Sequence, residues 1–172
     1  RKQGFRIENI IYESQPNYHV TSSLFVPDSL KNGKAPAIIY CSGHSVDGYR
    51  HYDNILINLV KKGFIVLAFD PMGQGERLQY YNPETNRSRF KFPSYEHSYA
   101  GAQVFMTGGN LASYFIWDGI RAVDYLLTRS DVDRHRIGIT GRSGGGTQSA
   151  FIAAFDKRIK ALASENYFTN FT

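Results

Sequence analysis

A serine between glycines is the first feature of the sequence that could do chemistry. Ser143 lies in Gly141-Arg142-Ser143-Gly144-Gly145, a Gly-x-Ser-x-Gly pattern that follows the short apolar run beginning at Ile137. Between a strand and a helix, this pattern is typical of a nucleophile elbow, in which a strained turn lifts the serine hydroxyl clear of the sheet. Glycines flank the tip because a Cβ there would collide with neighbouring backbone. The predicted chemistry is attack by the Ser143 hydroxyl on a carbonyl carbon.

Two other interpretations of the same residues are open. One is an ordinary turn between a strand and a helix, since glycine-rich turns that contain serine are common. The other is a phosphate-binding loop, because Gly141 and Gly146 have the Gly-x4-Gly spacing. Thr147, however, stands where that motif requires a lysine to reach the phosphates. The elbow is favoured over both if a strand precedes Ser143 and a helix follows it.

A nucleophilic serine also needs hydrogen-bond donors for the oxyanion that forms on the carbonyl. The N–H of Gly144 is one natural donor, because it directly follows the nucleophile. The loop after the first buried strand normally provides the second donor. In this chain that loop points to the backbone N–H of His44, with Ser45 close behind. A role for the His44 side chain is less favoured than the backbone role.

The base that would activate Ser143 is harder to find. All five histidines precede Ser143 in the chain, whereas this kind of site runs nucleophile, acid and histidine in chain order. His97 stands beside Glu96, and it is the histidine with an acid next to it. Adjacent side chains seldom point the same way, so a local role in ordering a lid is favoured over catalysis. Arg142 and Ser45 join this pair as candidates for the wall of the pocket.

Glu165 is the candidate for the acid. It follows the strand after the elbow, where a carboxylate could orient a histidine as in a catalytic triad. The alternative is a solvated loop glutamate. No cluster of His, Cys, Asp and Glu has metal-ligand spacing, so the sequence predicts neither a metal nor another cofactor.

The elements that must position these residues follow an α/β pattern. Continuous apolar runs at 37–41 and 64–69 predict strands that are covered on both faces. Helical patterns follow them, and a strand at 136–140, a helix to about Phe155 and a strand at 159–163 complete the alternation. Such alternation predicts a doubly wound, mainly parallel sheet. The carboxyl ends of its strands would bring Ser143, Glu165 and the loop of His44 to one rim.

Two further segments complete the predicted fold. Alternating patterns at 5–13 and 18–26 predict an antiparallel hairpin at the edge of the sheet. Residues 78–109 are polar, aromatic and the least regular part of the chain. So long a connection is usually functional, and we expect a long loop or lid insertion that shapes the mouth of the pocket.

Composition limits the classes of protein and partner that the sequence allows. With 172 residues, 42% of them hydrophobic, the chain is one domain with a core of ordinary size. The formal net charge is +5, but the basic residues are scattered, which argues against a nucleic-acid partner. No apolar run approaches membrane-spanning length, so no membrane partner is predicted. Cys41 is the single cysteine, which excludes an internal disulfide.

The chain resembles the α/β-hydrolase superfamily, and within it the acetyl xylan esterase-like and prolyl-oligopeptidase-like bacterial hydrolases. Four stretches carry the resemblance: Asp70–Arg77, Trp117–Leu126, Asp131–Asp133 and Gly138–Thr147. It implies a serine ester hydrolase directed at acyl groups on plant polysaccharides or oligosaccharides, with Ser143 as the nucleophile and the two N–H donors named above. Glucuronoyl esterases of the same superfamily can place their acid where Glu165 stands. The resemblance slightly favours a secreted or periplasmic location.

The sequence departs from this pattern at its end. Relatives continue beyond the position of Thr172 with further strands, the usual acid loop and the histidine loop. We therefore expect the chain to be incomplete at its C-terminus, and to need a further segment or self-association for stability and activity. Two other functions stay open: a non-catalytic module that binds carbohydrate or a partner, and a peptidase of the same fold.

Overall fold

A six-stranded mixed sheet is the centre of the computed structural model, which describes residues 4–30 and 33–166. Its strands are β1 (Phe5–Gln15), β2 (Tyr18–Pro27), β3 (Ala35–Cys41), β4 (Ile65–Phe69), β7 (Val132–Arg142) and β8 (Ala161–Glu165). Their spatial order is β1-β2-β4-β3-β7-β8. Two short strands, β5 (Tyr81–Asn82) and β6 (Arg87–Ser88), form a separate antiparallel ribbon. The end of the chain at Thr172 lies outside the described residues.

The direction of the strands confirms the predicted sheet. β4, β3, β7 and β8 run parallel to one another, and crossover helices connect them. β1 and β2 form the predicted antiparallel hairpin, which joins the sheet through an antiparallel pairing of β2 with β4. Because the parallel strands all end on the same side, their carboxyl ends form one rim.

Helices cover the sheet on two faces. They are α1 (Asp53–Lys61), α2 (Pro93–Met106), α3 (Leu111–Thr128) and α4 (Gly144–Phe155), with a 3₁₀ turn at Gly48–Tyr52 before α1. Successive side chains of a strand point to opposite faces, so neighbours in β3 enter different cores. Ile39 packs with Val123 of α3 and Ile152 of α4, whereas Tyr40 packs with Leu56 of α1. Among the described residues, no helix is both long and apolar enough to cross a membrane.

The helix before the elbow strand, α3, begins at a side-chain cap. The Asn110 side chain accepts a hydrogen bond from the Ala112 N–H at 2.9 Å and thereby caps the first turn of α3. One face of α3 buries Ala122, Val123 and Leu126 in the core. Burial of that apolar stripe, more than the propensity of its residues, fixes the helix against the sheet.

The segment 78–109 differs from its predicted form. It is not a long loop throughout, because it contains the β5–β6 ribbon and the 14-residue helix α2. α2 buries Pro93, Glu96 and Ala100. These three residues do not form an apolar stripe, so the sequence shows no helical pattern in this segment. The role of the segment as a lid stays a prediction.

Candidate active site

The backbone of Ser143 has the unusual conformation that a nucleophile elbow requires. Ser143 joins β7 to α4 with φ 57° and ψ −122°, in a region that residues with a side chain rarely occupy. Its carbonyl accepts the N–H groups of Gly146 at 2.8 Å and Thr147 at 3.2 Å, so the helix begins at once. Strain of this kind persists only where surrounding contacts impose it.

Close packing under the turn explains the flanking glycines. A Cβ on Gly141 would lie 2.5 Å from the Cys41 carbonyl oxygen, and one on Gly145 would lie 2.6 Å from the Cys41 carbonyl carbon. Both obstacles are backbone atoms of β3, which cannot move aside without breaking the sheet. The elbow therefore rests directly on the strand that leads to the His44 loop.

A cavity of about 320 Å³ opens beside Ser143. α3 and α4 provide most of its wall, and the wall is largely apolar. The lining residues are His44, Ala112, Phe115, Ile116, Ser143, Gly144, Thr147, Gln148 and Phe151. This lining includes no residue from 78–109, and that segment reaches the site through a contact between His97 and His44.

Two backbone N–H groups are available at the cavity. Within the described residues, those of His44 and Gly144 have no hydrogen-bond partner. The N–H of Ser45 is occupied, because it donates to Oε1 of the buried Gln74 at 2.6 Å. The loop after β3 also lies close to the elbow, since a Cβ on Gly43 would be 3.4 Å from the Ser143 Cβ.

The turn after β4 holds this loop in place. The fully buried Asp70 carboxylate accepts hydrogen bonds from the Thr21 hydroxyl at 3.0 Å and the Glu76 N–H at 3.2 Å. It also pairs with Arg50 at 2.9 Å. Together with Gln74, Asp70 ties residues 45–50 to the turn. The sequence gives a weak signal for these supports, namely the glycines that flank Gln74.

His44 and His97 form a hydrogen-bonded pair. Nε2 of His44 lies 3.1 Å from Nδ1 of His97, whose own Nε2 lies 2.6 Å from the Met72 carbonyl oxygen. Desolvation lowers the pKa of His97 to about 4, and it also lowers the pKa of His44. Both rings are therefore neutral near pH 7.

Glu96 does not share the position of its neighbour His97. Its carboxylate is 1% exposed and accepts the Gln79 N–H at 2.5 Å and the Ser88 hydroxyl. It is not part of the cavity lining. These contacts give Glu96 a role in ordering the β5–β6 ribbon.

Glu165 meets the elbow through its backbone. Its carbonyl accepts the Ser143 N–H at 2.9 Å. Its carboxylate is about half exposed, 3.7 Å from the guanidinium of the exposed Arg142. The structure thus brings Ser143, Gly144 and His44 to one cavity, and it joins the backbone of Glu165 to the elbow beside it.

No base makes a hydrogen bond to the nucleophile in the part of the chain that the structure describes. The Ser143 hydroxyl makes no hydrogen bond to a side chain there, and His19, His51 and His135 are exposed and do not line the cavity. Over the same residues, no group of three or more His, Cys, Asp or Glu side chains could hold a metal ion.

Comparisons with known proteins find similarity over most of the chain. The family model for acetyl xylan esterase (AXE1) matches residues 2–172. YtaP of Bacillus subtilis is 29% identical over 161 residues, which cover 87% of this chain and 47% of YtaP. The chain therefore spans about half the length of that relative.

Solved structures show the same fold. BF1801 of Bacteroides fragilis superimposes with a TM-score of 0.79 at 20% identity, over 94% of this chain and 45% of that one. The methylesterase BT1017 gives a TM-score of 0.70 at 27% identity, over 95% of this chain and 33% of that one. Together with the sheet topology, these likenesses confirm the predicted α/β-hydrolase fold.

Proposed function

The chain belongs to the acetyl xylan esterase family, and from that premise we propose that it carries the nucleophile and oxyanion hole of a serine carboxylic ester hydrolase. The observation that carries the proposal is the strained Ser143, with two free N–H groups beside it at one cavity. An ordinary turn between a strand and a helix does not require a strained serine with two free N–H groups beside it.

In the proposed reaction, the Ser143 oxygen attacks the carbonyl carbon of an ester. A histidine takes the hydroxyl proton and later gives it to the leaving alcohol, so that an acyl-serine and a free alcohol form. Water then attacks the acyl-serine and releases the acid. That histidine comes from outside the described residues, because none of these holds the Ser143 hydroxyl. Glu165 is the proposed carboxylate that orients it.

The N–H groups of His44 and Gly144 stabilise the oxyanion in this proposal. Two preorganised donors at the position of the developing charge favour the transition state over the ground state. Gly144 is also the first residue of α4, so the dipole of that helix favours negative charge at the same place. The bond between Ser45 and Gln74 supports this assignment, because it removes the competing donor of the loop.

The proposed substrates are acyl groups carried by plant-type polysaccharides or oligosaccharides. The family is the support for this choice. The cavity can hold such a group beside Ser143, with the sugar directed to the open rim.

Labelling with a fluorophosphonate and hydrolysis of p-nitrophenyl acetate test the proposal. In the protein that carries this chain, Ser143→Ala should abolish the adduct and lower kcat by about 10⁴-fold or more, as deletions in serine triads do. The control is Ser98→Ala, which changes an exposed serine of α2. An active Ser143→Ala protein would contradict the assignment.

The same experiment separates the two other functions. Absence of any adduct in the wild-type protein would favour a non-catalytic module that binds carbohydrate or a partner. An adduct together with faster cleavage of peptide amides than of acetylated sugars would favour a peptidase.

A further inference from the structure

The hydrogen bonds of the histidine pair have a defined direction. The Met72 carbonyl oxygen can only accept, so Nε2 of His97 carries the proton in that 2.6 Å bond. In a neutral His97, Nδ1 is then an acceptor. The 3.1 Å bond to His44 must therefore be donated by Nε2–H of His44. It follows that Nδ1 of a neutral His44 carries a lone pair and no proton.

That lone pair lies beside the proposed oxyanion hole. A Cβ on Gly144 would be 2.8 Å from Nδ1 of His44 and 2.7 Å from Cε1, but 3.8 Å from Nε2. The Nδ1 edge of the ring thus faces the first residue of α4, while Nε2 faces His97. Within the described residues, Nδ1 has no hydrogen-bond partner.

The surroundings make this acceptor distinctive. Ala112, Phe115, Ile116 and Phe151 give the cavity a largely apolar wall, and His44 is part of the same lining. His97 is held further by an edge-to-face contact with the Phe115 ring, with centroids 5.1 Å apart. His97 is therefore held by two contacts, and its hydrogen bond to the more exposed His44 orients the acceptor before any substrate arrives.

We propose that the His44 side chain is a specificity-determining group, which accepts a hydrogen bond from a free hydroxyl next to the ester on a polyhydroxylated substrate, and that His97 is the positioning residue that fixes the His44 tautomer. This inference rests on the proposed esterase function. It gives the His44 side chain a role beyond the backbone N–H that the sequence predicts.

The chemistry explains why a histidine pair suits this task. A lone histidine exchanges between two neutral tautomers, and one of them would present an N–H donor instead of an acceptor. The acceptor of His97 holds His44 in the other form. A substrate hydroxyl then finds a matching partner, whereas a substrate without that hydroxyl leaves the acceptor unpaired.

The tautomers are tested first by NMR, independently of activity. Histidine-labelled protein at pH 7.5 should show both His44 and His97 protonated on Nε2 in ¹⁵N–¹H correlation spectra. In His97→Leu, the His44 nitrogens should shift toward the average of two tautomers. In His97→Asn, Oδ1 can take the place of the Nδ1 acceptor and should restore the wild-type shifts. A wild-type His44 protonated on Nδ1 would overturn the proposal.

Matched substrates test specificity. The probes are methyl 2-O-acetyl-xyloside and its 3-deoxy analogue, which lacks the neighbouring hydroxyl. We expect the wild-type protein to favour the hydroxylated probe by about 3- to 10-fold in kcat/KM, the effect of one neutral hydrogen bond. His97→Leu and His44→Leu should bring this ratio near 1, and His97→Asn should restore it.

These results separate the inference from the function on which it rests. An unchanged ratio in both leucine variants, in a protein that loses hydrolysis on Ser143→Ala, would overturn the role of the pair and leave the esterase intact. If Ser143→Ala stays active, the proposed function fails and the specificity role fails with it.

Discussion

The backbone N–H of Ser143 donates to the carbonyl of Glu165 at 2.9 Å, so the tip of the elbow is joined to the end of β8. The bond uses no side-chain atom of either residue. The Glu165 carboxylate therefore takes no part in this bond, and it lies 3.7 Å from the guanidinium of Arg142. An exposed pair of this kind contributes little to stability, which leaves the carboxylate available to a histidine.

A substitution at Glu165 tests its role as the acid. Glu165→Gln keeps the backbone bond but removes the charge, and we expect kcat on p-nitrophenyl acetate to fall by about 10⁴-fold, as in other triads with an amide in place of the carboxylate. Arg142→Gln is the control, with an effect within a few-fold. Near wild-type kcat in Glu165→Gln would place the acid elsewhere.

The conformation of Ser143 predicts an unusual effect on stability. At φ 57° a Cβ is strained, and residues in such regions cost about 1–3 kcal/mol. Ser143→Gly should remove the strain and raise the free energy of unfolding by about 1 kcal/mol relative to Ser143→Ala. Urea denaturation of the two inactive variants measures the difference. Equal stability would mean that the turn relaxes in solution.

The close approach of α4 to β3 predicts strong intolerance at Gly145. Its added Cβ would meet the backbone of Cys41 and Ser42, with the Ser42 carbonyl carbon at 2.7 Å. We expect Gly145→Ala to lower the free energy of unfolding by about 3 kcal/mol or more, the upper range for overpacking. Gly138→Ala is the matched control, because its nearest obstacle is 3.5 Å away. Similar urea midpoints for the two variants would contradict this account.

The partly buried His97 predicts a pH-dependent stability. Its pKa is about 4 in the fold against a usual 6.5, so between these values the unfolded chain binds the proton and the native chain does not. The destabilisation by His97 is therefore absent above pH 6.5, and the free energy of unfolding falls as the pH drops toward 4. His97→Asn should show a shallower fall over this window by urea denaturation. Parallel pH profiles would show that His97 titrates normally in the fold.

Local patterns in the sequence predict most of the fold. The apolar runs of β3 and β4, the alternation in β1 and β2 and the cap at Asn110 depend on neighbours a few residues away. The parallel direction of β3, β4, β7 and β8 agrees with the prediction because a doubly wound sheet follows from the alternation of strands and helices. Ser143 is predicted for the same reason, since the flanking glycines stand directly around it.

Contacts between distant residues could not be predicted in this way. Asp118, Arg121 and Asp124 have the spacing of a solvated, salt-bridged helix face, and Arg121 does pair with Asp124 at 2.6 Å. Asp118, however, is fully buried and pairs with Arg77 at 2.6 Å. These two residues are 41 positions apart. The pair of His44 and His97, 53 positions apart, could not be predicted from local sequence patterns for the same reason.

The packing under the elbow also buries a thiol whose chemical labelling can report local opening of the sheet. Cys41, the single thiol of the chain, is 0% exposed at the end of β3, and burial raises its pKa far above the usual range. Thiol reagents attack the thiolate, so they can modify Cys41 only in molecules whose central strand has transiently opened. The rate of labelling thus measures how often β3 opens, the strand that carries the His44 loop and supports Ser143. Slow labelling during turnover would mean that catalysis proceeds on a scaffold that stays closed.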